Sequence, residues 1–299
     1  MVKSMYAAIA GLRTHQSKMD VISNNIANVN TWGYKTRSAN FQDAMYQNMV
    51  NSTGGNVANG GSGGVNASQI GYGVNMGSIT TNFATGSWGY TGRSLDCMIN
   101  GTGFFIVGPM KEGEISADDI SKSGLSLSKV GIFSVDNNGY LVDASGNYVY
   151  GFAPNAGEDA EGFDTSKLVP IKAPVPDGEE GGSVIASYTI KADGSITCVT
   201  EDSETITIGQ LAVASVTNPN GLSQSSGYLY DIGENAGAVS GIATTGATGE
   251  ILSNYLEMSN VDLSTDMANM ITTQRGYQAN TKIITVTDEM LEQLVNMKR

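Results

Sequence analysis

Met5-Tyr-Ala-Ala-Ile-Ala-Gly-Leu-Arg-Thr-His-Gln-Ser-Lys-Met-Asp-Val-Ile-Ser-Asn-Asn-Ile-Ala-Asn-Val29 is the stretch on which the architecture turns. Met5, Leu12, Met19 and Ile26 recur every seven residues, and Ala8, His15, Ile22 and Val29 follow three behind them. That spacing is an a/d seam, the mark of a helix that buries a narrow stripe against another helix. A helix of about 28 residues, roughly 42 Å long at 1.5 Å per residue, is predicted. Gly33, after Asn30-Thr31-Trp32, is its expected left-handed stop. One amphipathic helix cannot bury its own stripe in water, so a partner is required.

The other end of the chain carries the matching pattern. Leu263, Met270, Tyr277, Ile284 and Leu291 share one heptad position, widened late by Ile283, Met290, Leu294 and Met297. Asp262 or Ser264 can cap the start, Asp266 suits the positive end of the helix dipole, and Lys298 and Arg299 suit the other end. Residues 1–33 and 256–299 are therefore expected to form one coiled-coil domain.

Between them the period changes. Residues 54–64 are Gly-Gly-Asn-Val-Ala-Asn-Gly-Gly-Ser-Gly-Gly, which buries almost nothing, so 34–70 reads as a linker. From Gly71 to residue 255 the alternation is that of strands: Ser94–Ile99, Gly103–Val107, Ile132–Val135, Tyr140–Val142, Tyr148–Phe152, Val184–Ile190, Ile196–Thr200 and Thr205–Val216. Asn138-Gly139, Ser145-Gly146 and Asp193-Gly194 are the hairpin turns. Strand follows strand without an intervening helix, so the expected class is α+β, an antiparallel β-rich centre flanked by terminal coiled-coil helices.

Charge narrows the function. Of the net −13, the first 50 residues carry +3, the last 49 carry −2 and the middle carries the rest. A centre this acidic repels phosphate backbones, which argues against nucleic-acid binding. No apolar run reaches the roughly 20 residues that span a bilayer. The apolar run Met5 to Leu12 resembles a leader, but its helical register continues through Met19, Ile22, Ile26 and Val29, which a cleaved segment does not need.

Catalytic and metal chemistry finds no foothold. His15 is the only histidine and has no cysteine or carboxylate three or four residues away; on the seam it reads as a polar residue that sets packing register. Cys97 and Cys198 form no C-x-x-C pair; they read as small apolar residues in strands, with a disulfide left open. Gly71-Tyr-Gly73 and Gly101-Thr-Gly103 are fragments of a dinucleotide fingerprint that neither completes it nor opens a helix. Asp136-Asn137-Asn138-Gly139 lacks the spacing and bidentate Glu of a calcium loop. Asp118-Asp119 and Glu179-Glu180 sit in polar loops. The expectation is no cofactor, no metal and no enzymatic activity. Asn24, Asn25, Asn28 and Asn30 weaken the first helix, and the reading with functional content is that their amides bond to neighbouring chains and fix register.

Met19-Asp-Val-Ile-Ser-Asn-Asn-Ile-Ala-Asn-Val-Asn-Thr-Trp-Gly-Tyr-Lys35 resembles the N-terminal signature of flagellar rod, hook and hook-associated axial proteins. Glu257-Met-Ser-Asn-Val-Asp-Leu263, Asn269-Met-Ile271, Gln274-Arg-Gly-Tyr-Gln-Ala-Asn280 and Asp288-Glu-Met-Leu291 resemble the other end of the same family. Thr91-Gly-Arg-Ser-Leu-Asp96, Gly101-Thr-Gly-Phe-Phe-Ile-Val107 and Asn220-Gly-Leu222 are similar to its β-domain. The resemblance implies a homopolymeric tube with paired helices inside and β-domains outside. It also implies export through the flagellar type III apparatus without a cleaved leader. Within the family, Thr91 to Asp96 and the Leu-Val-Asn-Met-Lys-Arg ending look more like a hook subunit, an extracellular joint whose neighbours would be the distal rod protein, the hook cap and the hook–filament junction proteins. Asn48 to Gln69 matches in length the insertion of distal rod proteins and keeps that alternative open. A secreted adhesin, the rival from another class, has no use for heptad helices at both ends. Assembly is expected to order the helices, with Ile26→Asp or Ile284→Asp abolishing polymerisation.

Overall fold

The computed structural model describes residues 2–55, 63–111, 115–117, 120, 123–154, 162–174, 185–200, 205–243 and 248–297. The chain divides into two compact units. One comprises Met1–Val29, Thr36–Asn82 and Val261–Arg299; the other comprises Asn30–Lys35 and Phe83–Asn260.

The first unit is built on two helices, α1 (Val2–Ala27) and α2 (Leu263–Asn296). Asp262 is the N-cap of α2: its Oδ1 accepts from Ser264 N–H at 3.0 Å and Thr265 N–H at 3.3 Å, satisfying donors that the first turn leaves open. The helices pack antiparallel, as two close approaches show. A Cβ at Gly11 would lie 2.7 Å from Asn280 Nδ2, and one at Gly276 would lie 2.8 Å from His15 Cε1. Four residues forward in α1 is thus four residues back in α2.

Residues 34–70, expected as a linker, carry strands instead. β1 (Arg37–Asp43) pairs with β4 (Val74–Thr81) around a bulge between Asn40 and Phe41, and β2 (Tyr46–Val50) pairs with β3 (Ser68–Gly71). Their low apolar content hid them from a reading based on alternation, and β4 lies with the helical unit although the expected β-domain began at Gly71. Part of the glycine-rich segment 54–64, and the residues Asp118-Asp119, Glu179-Glu180, Val184, Lys298 and Arg299, lie outside the described residues.

The second unit is an antiparallel β body whose named strand pairings are all antiparallel, so the expected α+β class holds. Seven of the expected strands appear within a few residues of their predicted limits, and Ile185–Ile190 stands for the eighth. The three hairpin glycines, Gly139, Gly146 and Gly194, have φ of +81°, +82° and +76°, the conformation that only glycine adopts freely. The strands Phe104–Gly108 and Thr205–Val216 are central, with Phe105 opposite Val213 and Phe104 opposite Ala214. Phe104, Ile106, Ala212 and Ala214 enter one apolar cluster, while Phe105, Val107, Leu211 and Val213 enter a second on the opposite face. Burial on both faces explains why Phe104-Phe-Ile-Val107 is a continuous apolar run. Cys97 and Cys198 are buried free thiols in strands Cys97–Asn100 and Ser195–Thr200, and no disulfide joins them. Burial, with Asp96 alongside, pushes the Cys97 thiol well up, which keeps it inert.

Candidate functional site

The two helices α1 and α2 present an extended surface. Among the described residues no three His, Cys, Asp or Glu side chains come together as metal ligands. Of the expected seam, Ile22 is buried and Leu12, Met19, Ile26, Val29, Met270 and Ile284 are half-buried, but Leu263, Tyr277 and Leu291 are exposed. The buried side of α2 is lined instead by Thr273 and Thr287, with Gly276 and Asn280 turned toward α1. Pairing within one chain therefore uses small and polar residues of α2 together with the half-buried Met270 and Ile284. Most of its apolar side chains, Met267, Ile271, Ile283, Val286, Met290 and Leu294 among them, remain in water, with Ile271 58% exposed. A helix that is apolar on more than the face its partner covers needs a further partner.

The seam is locked by shape. His15 fits the gap left by Gly276, and its ring meets Phe41 of β1 edge-on with centroids 5.4 Å apart. Burial, and then Lys18, lower its pKa, and Nδ1 is buried without a hydrogen-bond partner among the described residues. Asn280 fits against Gly11 in the same manner four residues away. The sequence placed His15 on the seam; its glycine partner could have been sought only by aligning the two helices antiparallel. Asn25 and Asn28 make hydrogen bonds within their own chain. Asn25 donates to Arg37 O at 2.9 Å and accepts from Arg37 N–H at 3.1 Å, and Asn28 donates to Asn24 Oδ1 at 2.8 Å. These amides bond inside the chain: Asn25 acts as a backbone mimic that anchors β1 to α1. Gly33 has φ +66° but is not the helix stop, since α1 ends at Ala27; a Cβ there would lie 2.3 Å from Val130 Cγ2.

The β2–β3 ribbon presents a second apolar surface. Met45, Tyr46, Met49, Val50, Val65 and Ile70 are exposed, Met45 at 80%. Its base is fastened to α1, where Lys3 Nζ donates to Gln47 Oε1 at 2.8 Å and Tyr72 Oη donates to the same oxygen at 2.6 Å. This is the Asn48 to Gln69 neighbourhood, read from the sequence as part of a linker and alternatively as an insertion of the length found in distal rod proteins.

The residues that sequence reasoning missed lie in the body. Lys35 Nζ donates to Glu257 Oε1 at 2.6 Å, with the two side chains 1% and 0% exposed. Lys35 also donates to Ala84 O at 3.0 Å, and Gly86 N–H donates to Glu257 Oε1 at 2.7 Å. Lys129 is buried nearby in the same unit, donating to Gly101 O at 2.6 Å and Gly103 O at 2.8 Å over the Phe104 ring. Burial lowers its pKa to about 8, with attraction by Glu257 opposing and repulsion by Lys35 assisting. The signal available was positional: Lys35 closes one terminal motif and Glu257 opens the other.

Comparison with known proteins follows this geometry. The family described as "Flagella basal body rod protein" matches residues 5–35, and "Flagellar basal body rod FlgEFG protein C-terminal" matches residues 252–297. The chain is 37% identical to the flagellar basal-body rod protein FlgG of Bacillus subtilis over 301 positions, covering 100% of both chains. It is 29% identical to FlgG of Borreliella burgdorferi over 302 positions, again covering 100% of both. Against the flagellar hook protein FlgE of the same organism it is 25% identical, over an alignment stretched to 458 positions.

Proposed function

The chain belongs to the flagellar rod and hook protein family, and from that premise we propose that it is the distal rod subunit of the basal body rather than the hook subunit. The observation that carries the choice is collinearity: the chain aligns with rod protein FlgG of Bacillus subtilis end to end over 301 positions, while its alignment with a hook protein needs 458. The hook reading, drawn from Thr91 to Asp96 and the C-terminal residues, is the weaker of the two. The role is structural, as the rod and hook names of the relatives indicate.

In this reading copies of the chain stack into a rod. The apolar side chains that α1 leaves uncovered on α2 meet helices of neighbouring copies, and burial of each leucine- or methionine-sized group contributes on the order of 1.5–3 kcal/mol. The exposed apolar residues of the β2–β3 ribbon supply a second contact between copies. The subunit then works in the periplasmic rod, reached by flagellar export. Electron microscopy of basal bodies from a strain lacking this chain tests the assignment. Rods that stop short of their distal segment are expected; complete rods without a hook would return the protein to the hook.

A further inference from the structure

Three stretches of the β body meet at the Lys35–Glu257 pair. Residues 30–35 follow α1, residues 257–260 precede α2, and residues 84–90 lie between them in sequence. Gly33 N–H donates to Glu257 O at 2.7 Å, Met258 N–H to Ser87 O at 2.8 Å, and Asn260 Nδ2 to Ala84 O at 3.2 Å. The backbones approach closely enough to exclude side chains. A Cβ at Gly86 would lie 2.4 Å from Met258 O, and one at Gly89 would lie 2.8 Å from the Trp32 ring.

Two features set this knot apart from the rest of the body. None of residues 30–35, 84–90 and 257–260 belongs to either apolar cluster; beside the packing of Trp32 on Gly89 and of Gly33 on Val130, hydrogen bonds and the ion pair hold it. Its centre is an ion pair with almost no access to water, and Glu257 Oε2 has no hydrogen-bond partner among the described residues. Removing one partner of such a pair leaves a buried charge that nothing compensates, whereas removing both charges need cost little. Regions with few apolar contacts also open independently of a core.

We propose that these three stretches form a charge-locked clasp that opens and closes as a unit of its own, ahead of the sheet, and so secures or releases the roots of both terminal helices together.

Hydrogen exchange followed by mass spectrometry on the full-length protein tests this, comparing the clasp amides of Gly33, Gly86 and Met258 with those of strands 104–108 and 205–216. In the unaltered protein the clasp amides are expected to exchange at least tenfold faster than the strands. Lys35→Met or Glu257→Gln alone should accelerate clasp exchange by about a hundredfold or more while the strands change little. The double variant Lys35→Met/Glu257→Gln, which leaves no unpaired charge, should be slower than either single. Both tryptophans, Trp32 and Trp88, lie in the clasp, so fluorescence gives an independent readout of the same opening. A folded double variant beside singles that fail to fold would show the expected order. Clasp and strands exchanging in step in the unaltered protein would overturn the proposal, as would a double variant at least as fast as the faster single.

Discussion

Lys129 has a charge that the fold disfavours, and its pH dependence follows directly. Its pKa is about 8 in the folded protein against 10.5 for a free lysine side chain. Between those values the unfolded chain holds more protons than the folded one, so folding stability rises as pH rises through that window. Urea denaturation of the body should therefore show a midpoint that climbs from pH 8 toward pH 10.5 more steeply than in Lys129→Met, which is less stable throughout because the buried Gly103 carbonyl and the half-buried Gly101 carbonyl lose the lysine donor. His15 gives the complementary case in the helical unit. Its folded pKa lies below 6.5, so as pH falls through 6.5 the unfolded chain takes up the proton first and helix pairing weakens. His15→Leu should flatten that acid loss, read as helix amide protection at about pH 7.5 and pH 5. The sequence revealed His15 as a polar seam residue from its heptad position alone. It did not reveal the Lys35–Glu257 pair, because the two residues are 222 positions apart, Lys35 lies in a connecting segment and Glu257 ends a strand of three residues, too short to show a period.

At the scale of elements, α2 separates two roles along its length. Ile271 is 58% exposed and Ile284 is half-buried toward the seam. Ile271→Asp should leave the monomer's helicity and melting unchanged yet block rod formation in a sedimentation assay; Ile284→Asp should weaken the monomer's helix pair as well. Gly276→Ala offers a sharper check. Alanine gains up to about 1 kcal/mol of helix propensity over glycine. Here its methyl would meet the His15 imidazole, itself held by Phe41, so overpacking of about 1–3 kcal/mol should outweigh the gain and lower the thermal midpoint. Gly11→Ala should be milder, since it meets an amide of Asn280 that can rotate. Heptad counting located both helices, and period-two alternation located the body's longer strands, because those elements repeat apolar residues at a fixed period. Neither found β1 to β4 or the short strands after Val216, where glycine, serine and asparagine interrupt the alternation and pairing is set by distant partners.

For the whole molecule, the legible part was the architecture and the family; the proposal of rod over hook rests on collinearity over the full chain, which a single sequence does not display. The clasp adds an expectation about dissection. A fragment of residues 83–260 lacks Lys35 and hence the lock, but retains both apolar clusters. It should fold with a sheet as stable as that of the intact chain, and Glu257→Gln should change its melting by less than the roughly 0.5 kcal/mol typical of a neutral surface substitution. The antiparallel seating of α1 on α2 has a further consequence, one of timing. Gly11 and its neighbour Asn280 are far apart in sequence, so at about 5–20 residues per second roughly 15–50 s of synthesis pass before α1 meets the surface that covers it. For that interval β1 can already seat on α1 through Asn25 and the His15–Phe41 contact, but the face that α2 covers stays open, so whatever first engages that face during synthesis is something other than α2.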